Sequence, residues 1–262
     1  MKSNYARCED PWIAEIYDYQ TARIWADRDV DFYTSLAKES DGPVLELGCG
    51  TGRVLFAMAR AEKDVTGLDV STHMLTVARR KLDKECPHVQ RRTTLAQGDM
   101  ASFSLEREFG LIVAPYRAFQ ALLESDDQKG CLECCARHLL PEGRLAINVF
   151  NPKRERLDVA GGVDDPRIDF SGPYGLSIAW SGHTDYDSSN QRLCTQMRYE
   201  TTSRTGQMTT REYPLELCYF FRSDVESLLE ACGFGVEAVY GDFDRSPLGP
   251  DSPEMIFVAK KK

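Results

Sequence analysis

The sequence has no long hydrophobic run: its apolar stretches break after about six residues, far short of the roughly 20 needed to cross a bilayer. The opening Met1-Lys2-Ser3-Asn4-Tyr5 carries no apolar signal segment, so a cytoplasmic location is expected. Basic charge is also scarce. Lys and Arg number 32 against 41 Asp and Glu, a formal net charge of -9. Duplex nucleic acid and anionic membranes are bound mainly through clustered Lys and Arg, so neither is expected as a partner. Arg91-Arg92 and Lys260-Lys261-Lys262 are too short to change that. There are no internal repeats and no low-complexity segments. Cysteine is not scarce, with nine in the chain, but without an export signal these read as reduced thiols. Cys131, Cys134, Cys135 and His138 could share one helical face, yet Leu132, Leu139 and Leu140 lie on the same segment. Core packing is the expected role there, and no metal site.

What is present is an alternation of short apolar strands with amphipathic helices. Residues 10–38 read as helical. Strands follow at 43–47, 65–68, 93–96, 109–113 and 143–150, with helices around Leu55–Ala59, Met74–Leu82 and Ser125–Leu140 between them. Ser125 and Gln128, and later Ser223 and Glu226, have capping-box spacing. This pattern implies a doubly wound, mostly parallel α/β sheet. After Asn151 the rhythm changes. Residues 152–166 read as a charged loop, and 176–184, 192–201 and 208–219 as strands joined by the turns Asp187–Asn190 and Ser203–Gly206. A helix after Ser223, ended by Gly233, and strands at 236–239 and 255–259 resume the α/β pattern. We therefore expect one domain: a helical segment (1–39), a core (40–150), an antiparallel insertion (151–220) and a completion of the sheet (221–262).

The chemistry lies at the end of the first core strand, in Glu46-Leu47-Gly48-Cys49-Gly50-Thr51-Gly52. A glycine-rich turn between strand and helix brings a ligand close to backbone and to the helix N-terminus. A dinucleotide fingerprint would place Gly or Ala at 53, where this chain has Arg53. Glu46 is awkward beside a pyrophosphate and useful beside a cation. Asp69 after the second strand suits a ribose diol, and Asp99 after the third suits an exocyclic amine.

Together these residues resemble the class I, Rossmann-like S-adenosylmethionine-dependent methyltransferases. Val44–Gly52 matches the first motif, Leu68-Asp69-Val70-Ser71 the second, Gly98-Asp99-Met100 the third, and Ile112–Tyr116 lies where the fourth does. The resemblance implies a seven-stranded sheet with the antiparallel insertion after strand five and an N-terminal helical lid. It also implies S-adenosylmethionine as cofactor, lined by Tyr17, Glu46, Gly48, Cys49, Gly50, Arg53, Asp69, Val70, Met74, Gly98, Asp99, Met100 and Pro115. Ala114-Pro115-Tyr116 lacks the polar anchor of the enzymes that methylate nucleobase amines. The layout is instead similar to small-molecule N- and O-methyltransferases. A small-molecule methyl acceptor, amine or hydroxyl, is thus expected, in a monomer or homodimer. Ligands bind at the C-terminal ends of such strands, which nominates Tyr116, Arg117, Phe119, Gln120, Asn148, Asn151, His183, Tyr199, Tyr219 and Phe221. Of these, Tyr116 and His183 are the catalytic candidates, and Tyr116, Arg117, Phe119, Asn151 and Tyr219 the substrate-facing ones. Two alternatives stay open: a catalytically silent S-adenosylmethionine-binding module and an NAD(P)-dependent oxidoreductase.

Overall fold

The structure, a computed structural model, describes residues 10–262. Its first helix, α1 (Pro11–Ile24), starts where the Asp10 carboxylate accepts the Trp12 amide at 2.8 Å and Pro11 supplies a preset φ. A second helix, α2 (Val30–Glu39), follows. The single helical segment expected over 10–38 is therefore broken at Trp25–Asp29. Ala26 and Asp27 sit in the left-handed region, both at φ 53°, where an α-helix cannot continue.

The chain then winds through β1 (Val44–Leu47), α3 (Arg53–Arg60), β2 (Val65–Asp69), α4 (Thr72–Leu82), α5 (Pro87–Arg92), β3 (Thr93–Gln97) and β4 (Phe109–Ala114). Helix α6 (Ser125–His138) leads to β5 (Leu139–Phe150). A short α7 (Arg154–Leu157) precedes four antiparallel strands, β6 (Val163–Ser171), β7 (Ser177–Asp187), β8 (Arg192–Thr202) and β9 (Met208–Cys218). Helix α8 (Arg222–Ala231), β10 (Phe234–Tyr240) and β11 (Glu254–Lys261) complete the fold. The main sheet has seven strands in the order β10-β11-β5-β4-β1-β2-β3; β6-β7-β8-β9 form a second sheet. All main-sheet pairings are parallel except the two made by β11. The direction of winding reverses between β1 and β4, and that switch point opens a crevice at the strands' C-terminal ends.

Alternation along β1 divides two apolar cores. Leu45 and Leu47 pack with Leu132, Cys135 and Leu229 on one face. Val44 packs with Leu36, Leu55 and Met58 on the other. Glu46 shares the Val44 face and is 3% exposed. A third core, with Ile13, Ile16, Met197 and Tyr199, joins α1 to the four-stranded sheet.

Three further local expectations, one loop and two helix caps, are corrected. β6 begins inside the stretch read as a charged loop, at Val163, and runs on to Ser171: it is a charged edge strand carrying Pro166, which sequence alternation does not reveal. Neither capping box forms, because both helices begin earlier. Glu124 is the N-cap of α6, and the Gln128 amide donates instead to the Leu122 carbonyl at 2.8 Å. In α8 it is Asp224 that accepts the Phe221 amide, at 2.8 Å, while Glu226 pairs with Arg222. The cysteine segment is buried as packing material. His138 accepts the Leu105 amide at Nε2 and turns Nδ1 to the Cys134 carbonyl, so both ring nitrogens serve the backbone.

Candidate active site

The glycine turn after β1 needs its glycines. Gly48, Gly50 and Gly52 have φ of 65°, 54° and 84°, and a Cβ on Gly48 would stand 2.9 Å from that of Ala118. Asp69 fastens this turn from the end of β2. One carboxylate oxygen accepts the Gly50 amide at 2.7 Å, the other the Ser71 amide at 2.8 Å. Ser71 in turn caps α4 by accepting the Met74 amide. Burial pushes the Asp69 carboxyl above its ordinary range, with the two amides pulling the other way. Glu46, two residues before Gly48, is raised further by burial, with Asp29 and Asp69 adding to it and Arg53 opposing. Its Oε2 is buried without a hydrogen-bond partner among the described residues. Arg53, opening α3, is held by a fork to the fully buried Asp29, at 2.5 and 2.7 Å.

Helix α1 closes over this turn. Asp18 accepts the Thr51 hydroxyl at 2.6 Å and pairs with Lys81 at 2.7 Å. Tyr17 then lies edge-on to Tyr116, 6.1 Å between centroids, and Trp25 packs on the same tyrosine at 5.0 Å. The Arg53 guanidinium lies 5.6 Å from the Tyr116 ring centroid.

A cleft of about 560 Å³ opens between the C-terminal edge of the main sheet, α1 and the inner face of the second sheet. From the cofactor candidates it gathers Tyr17, Gly48, Gly50, Asp69, Met74, Met100 and Pro115. Glu46, Cys49, Arg53, Val70, Gly98 and Asp99 do not line it. Cys49 packs under the turn, a Cβ on Gly98 would strike Leu68, and Asp99 accepts the Ala101 amide at 2.9 Å. From the substrate candidates the cleft takes Tyr116, Arg117 and Asn151.

Of the catalytic and substrate-facing candidates three lie elsewhere, as do Gln120, Asn148, Tyr199 and Phe221 of the wider set. Phe119 and Tyr219 are each 1% exposed; Phe119 packs against Phe220 in the core, and Tyr219 sits beyond the end of β9. His183 is turned away by strand alternation: Trp180, Thr184 and Tyr186 of β7 line the cleft, so His183 points to the outer face. There it meets Asp164 at 2.7 Å, a contact that raises its pKa. The same alternation brings in Leu193, Thr195 and Met197 from β8 and Leu215 and Leu217 from β9. Trp25, Trp180, Arg156 and Asp165 also line the cleft and were not singled out from the sequence. The readable signal for Trp180 is period-2 register with Thr184 and Tyr186; Trp25 lies in the helix break, which has no glycine or proline to mark it.

With this geometry in view, residues 44–143 match the family described as "Methyltransferase domain". The chain is 32% identical over 199 residues to the dTDP-3-amino-3,4,6-trideoxy-alpha-D-glucopyranose N,N-dimethyltransferase of Streptomyces venezuelae, covering 76% of this chain and 77% of that protein. Among solved structures it is similar to the CcbJ methyltransferase of Streptomyces caelestis, with a TM-score of 0.76 and 22% identity over 96% of this chain and 99% of that one. It is also similar to SAM-bound CalS10, an amino pentose methyltransferase from Micromonospora echinaspora, with a TM-score of 0.70 and 20% identity over 94% of each chain.

Proposed function

The chain belongs to the class I S-adenosylmethionine-dependent methyltransferases, and we propose that its cleft passes a methyl group to an amine of a small, sugar-like acceptor. The observation that carries this reading is the convergence, in one cleft, of the glycine turn, Asp69, Met74 and Met100 with the inner face of the antiparallel sheet. An amine is favoured over a hydroxyl because the similar Streptomyces venezuelae protein is named for N,N-dimethylation of an amino sugar.

The residues present suit a cationic nucleoside ligand. The glycine backbone leaves room for close approach, Asp69 stands at the end of β2 where a ribose diol would sit, and Met74 and Met100 offer apolar surface to an adenine. Glu46, buried beneath the turn with one oxygen unpartnered among the described residues, would be favoured in its ionised form by a cationic ligand. When bound, S-adenosylmethionine supplies an electrophilic methyl group. The protein's part is to align the acceptor nitrogen with it and to exclude water. Tyr17, Trp25 and Tyr116 line the cleft on the side of α1, and Trp180, Leu193, Met197, Leu215 and Leu217 line it on the second sheet; in this reading the first three would form a lid and the others an apolar floor for the acceptor. The amine must arrive unprotonated, its proton leaving to water or to the cleft wall.

Two measurements test this. Isothermal titration is expected to show binding of S-adenosylmethionine and S-adenosylhomocysteine and none of NADH; the reverse pattern overturns the donor assignment. A metabolite panel incubated with methyl-labelled S-adenosylmethionine, with dTDP-linked amino sugars included, is expected to label an amine. Label confined to hydroxyl acceptors, or absent throughout while the donor binds, overturns the acceptor assignment.

A further inference from the structure

Tyr116 and Arg117 are consecutive non-glycine residues in the left-handed region, at φ 53° and 62°. Such a backbone conformation is unfavourable for a residue with a side chain and persists only where its surroundings hold it there. The surroundings are two fully buried side chains from adjacent strands of the main sheet. Asn148 of β5 accepts the Arg117 amide at 3.2 Å and the Tyr33 hydroxyl at 3.0 Å through one oxygen. Its amide donates to Glu254 of β11 at 3.0 Å. Glu254 takes the Arg117 guanidinium in a fork, at 2.5 and 3.3 Å, and the Arg28 guanidinium at 3.3 Å. Both guanidinium groups lie near the Trp25 ring, at 4.5 Å for Arg28 and 5.1 Å for Arg117, and Trp25 packs edge-on to Tyr116.

The pairing also answers what a cleft-lining arginine is doing. A guanidinium already forked to a buried carboxylate is a poor free anchor for a substrate anion, because leaving Glu254 unpaired would strand a buried charge. We infer that Asn148 and Glu254 are positioning residues: they hold the Tyr116–Arg117 turn in its left-handed conformation and, through Arg28, Arg117 and Trp25, fix the Tyr116 ring at the mouth of the cleft. That the ring's place matters for methyl transfer rests on the function proposed above; the clamp itself does not.

The test reads Tyr116 directly. The full-length protein is labelled with 3-fluorotyrosine, and the Tyr116 ¹⁹F line is assigned as the one missing from Tyr116→Phe. Glu254→Gln keeps the shape of the clamp and removes its charge. Arg117→Lys breaks the fork from a partly exposed position, so that a folded variant is available if Glu254→Gln does not fold. In both, the Tyr116 line is expected to move or split while the line of Tyr199, buried on β8 and bonded to Gln20, stays in place. An unmoved Tyr116 line in a folded variant overturns the inference. So does movement of the Tyr116 and Tyr199 lines together, which is general loosening. Titrating the parent protein with S-adenosylhomocysteine is a separate readout: a Tyr116 line that ignores the ligand counts against the proposed site, not against the clamp.

Discussion

The Gly50 amide and the Asp69 carboxylate meet at 2.7 Å, nineteen residues apart in sequence, and this bond ties the glycine turn to the end of the second strand. Asp69 therefore has a structural duty before any ligand arrives. Asp69→Ala removes an acceptor from both the Gly50 and Ser71 amides. We expect S-adenosylmethionine binding to weaken by about 1–3 kcal/mol, the cost of orphaned buried partners. Calorimetric titration of the folded variant checks it; unchanged affinity would remove Asp69 from the binding site.

Burial lifts the carboxyls of Glu46 and Asp69 above their ordinary range. A carboxyl whose folded pKa is raised contributes stability that is present below its unfolded pKa and is lost as the pH rises through the folded value. A cationic ligand favours the ionised form. The affinity for S-adenosylmethionine should accordingly rise with pH through the raised carboxylate range and level off above it. S-adenosylhomocysteine, lacking the sulfonium charge, should show a shallower rise. Titrations from about pH 5 to about pH 8 compare the two; equal slopes would refute the electrostatic role of this pair.

His183 provides the negative control. It is exposed on the outer face of the second sheet and held by Asp164. His183→Ala should leave methyl transfer within about twofold of the parent, as is usual for an exposed residue away from structural features. A large fall in turnover would return it to the catalytic list. Asp164→Asn should lower the His183 pKa toward that of a free imidazole, read by NMR titration, because the Asp164 contact is the largest cause of its elevation.

Gly67 tests packing beneath the turn. A Cβ there would stand 2.7 Å from both Cys49 Sγ and Leu55 Cδ2. Gly67→Ala should cost about 1–3 kcal/mol of stability by overpacking. Adding Cys49→Ala should restore part of it in chemical denaturation. Additivity of the two losses would mean that the predicted clash is absent.

Much of the core was legible because its signals are local. The strand from Val44, the glycine turn and Asp69 declare themselves through apolar runs, positive-φ glycines and short spacing. The break between α1 and α2 was not, since Ala26 and Asp27 are unremarkable in sequence and take their left-handed backbone where Asp27 and Asp29 pair with Arg53. The charged edge strand β6 was hidden for a related reason: one neighbour supplies its hydrogen bonds, and little of it is buried. In the cleft, Gly48, Asp69, Met100 and Tyr116 come from segments that motif spacing links. His183 misled because counting residues on a strand does not say which face meets the cleft until register is known. Glu254 was missed because its importance depends on a partner that only the folded sheet supplies.

That partner lies 137 residues away, at Arg117. Strand β11, which carries Glu254 at its first position, is inserted between β5 and β10 rather than added at a margin. The turn bearing Tyr116 thus shares in the cooperativity of the whole sheet. Its clamp is complete only when the last strand is seated between two earlier ones. Amide exchange at Arg117 should therefore follow global unfolding, unlike the fraying usual for a surface turn.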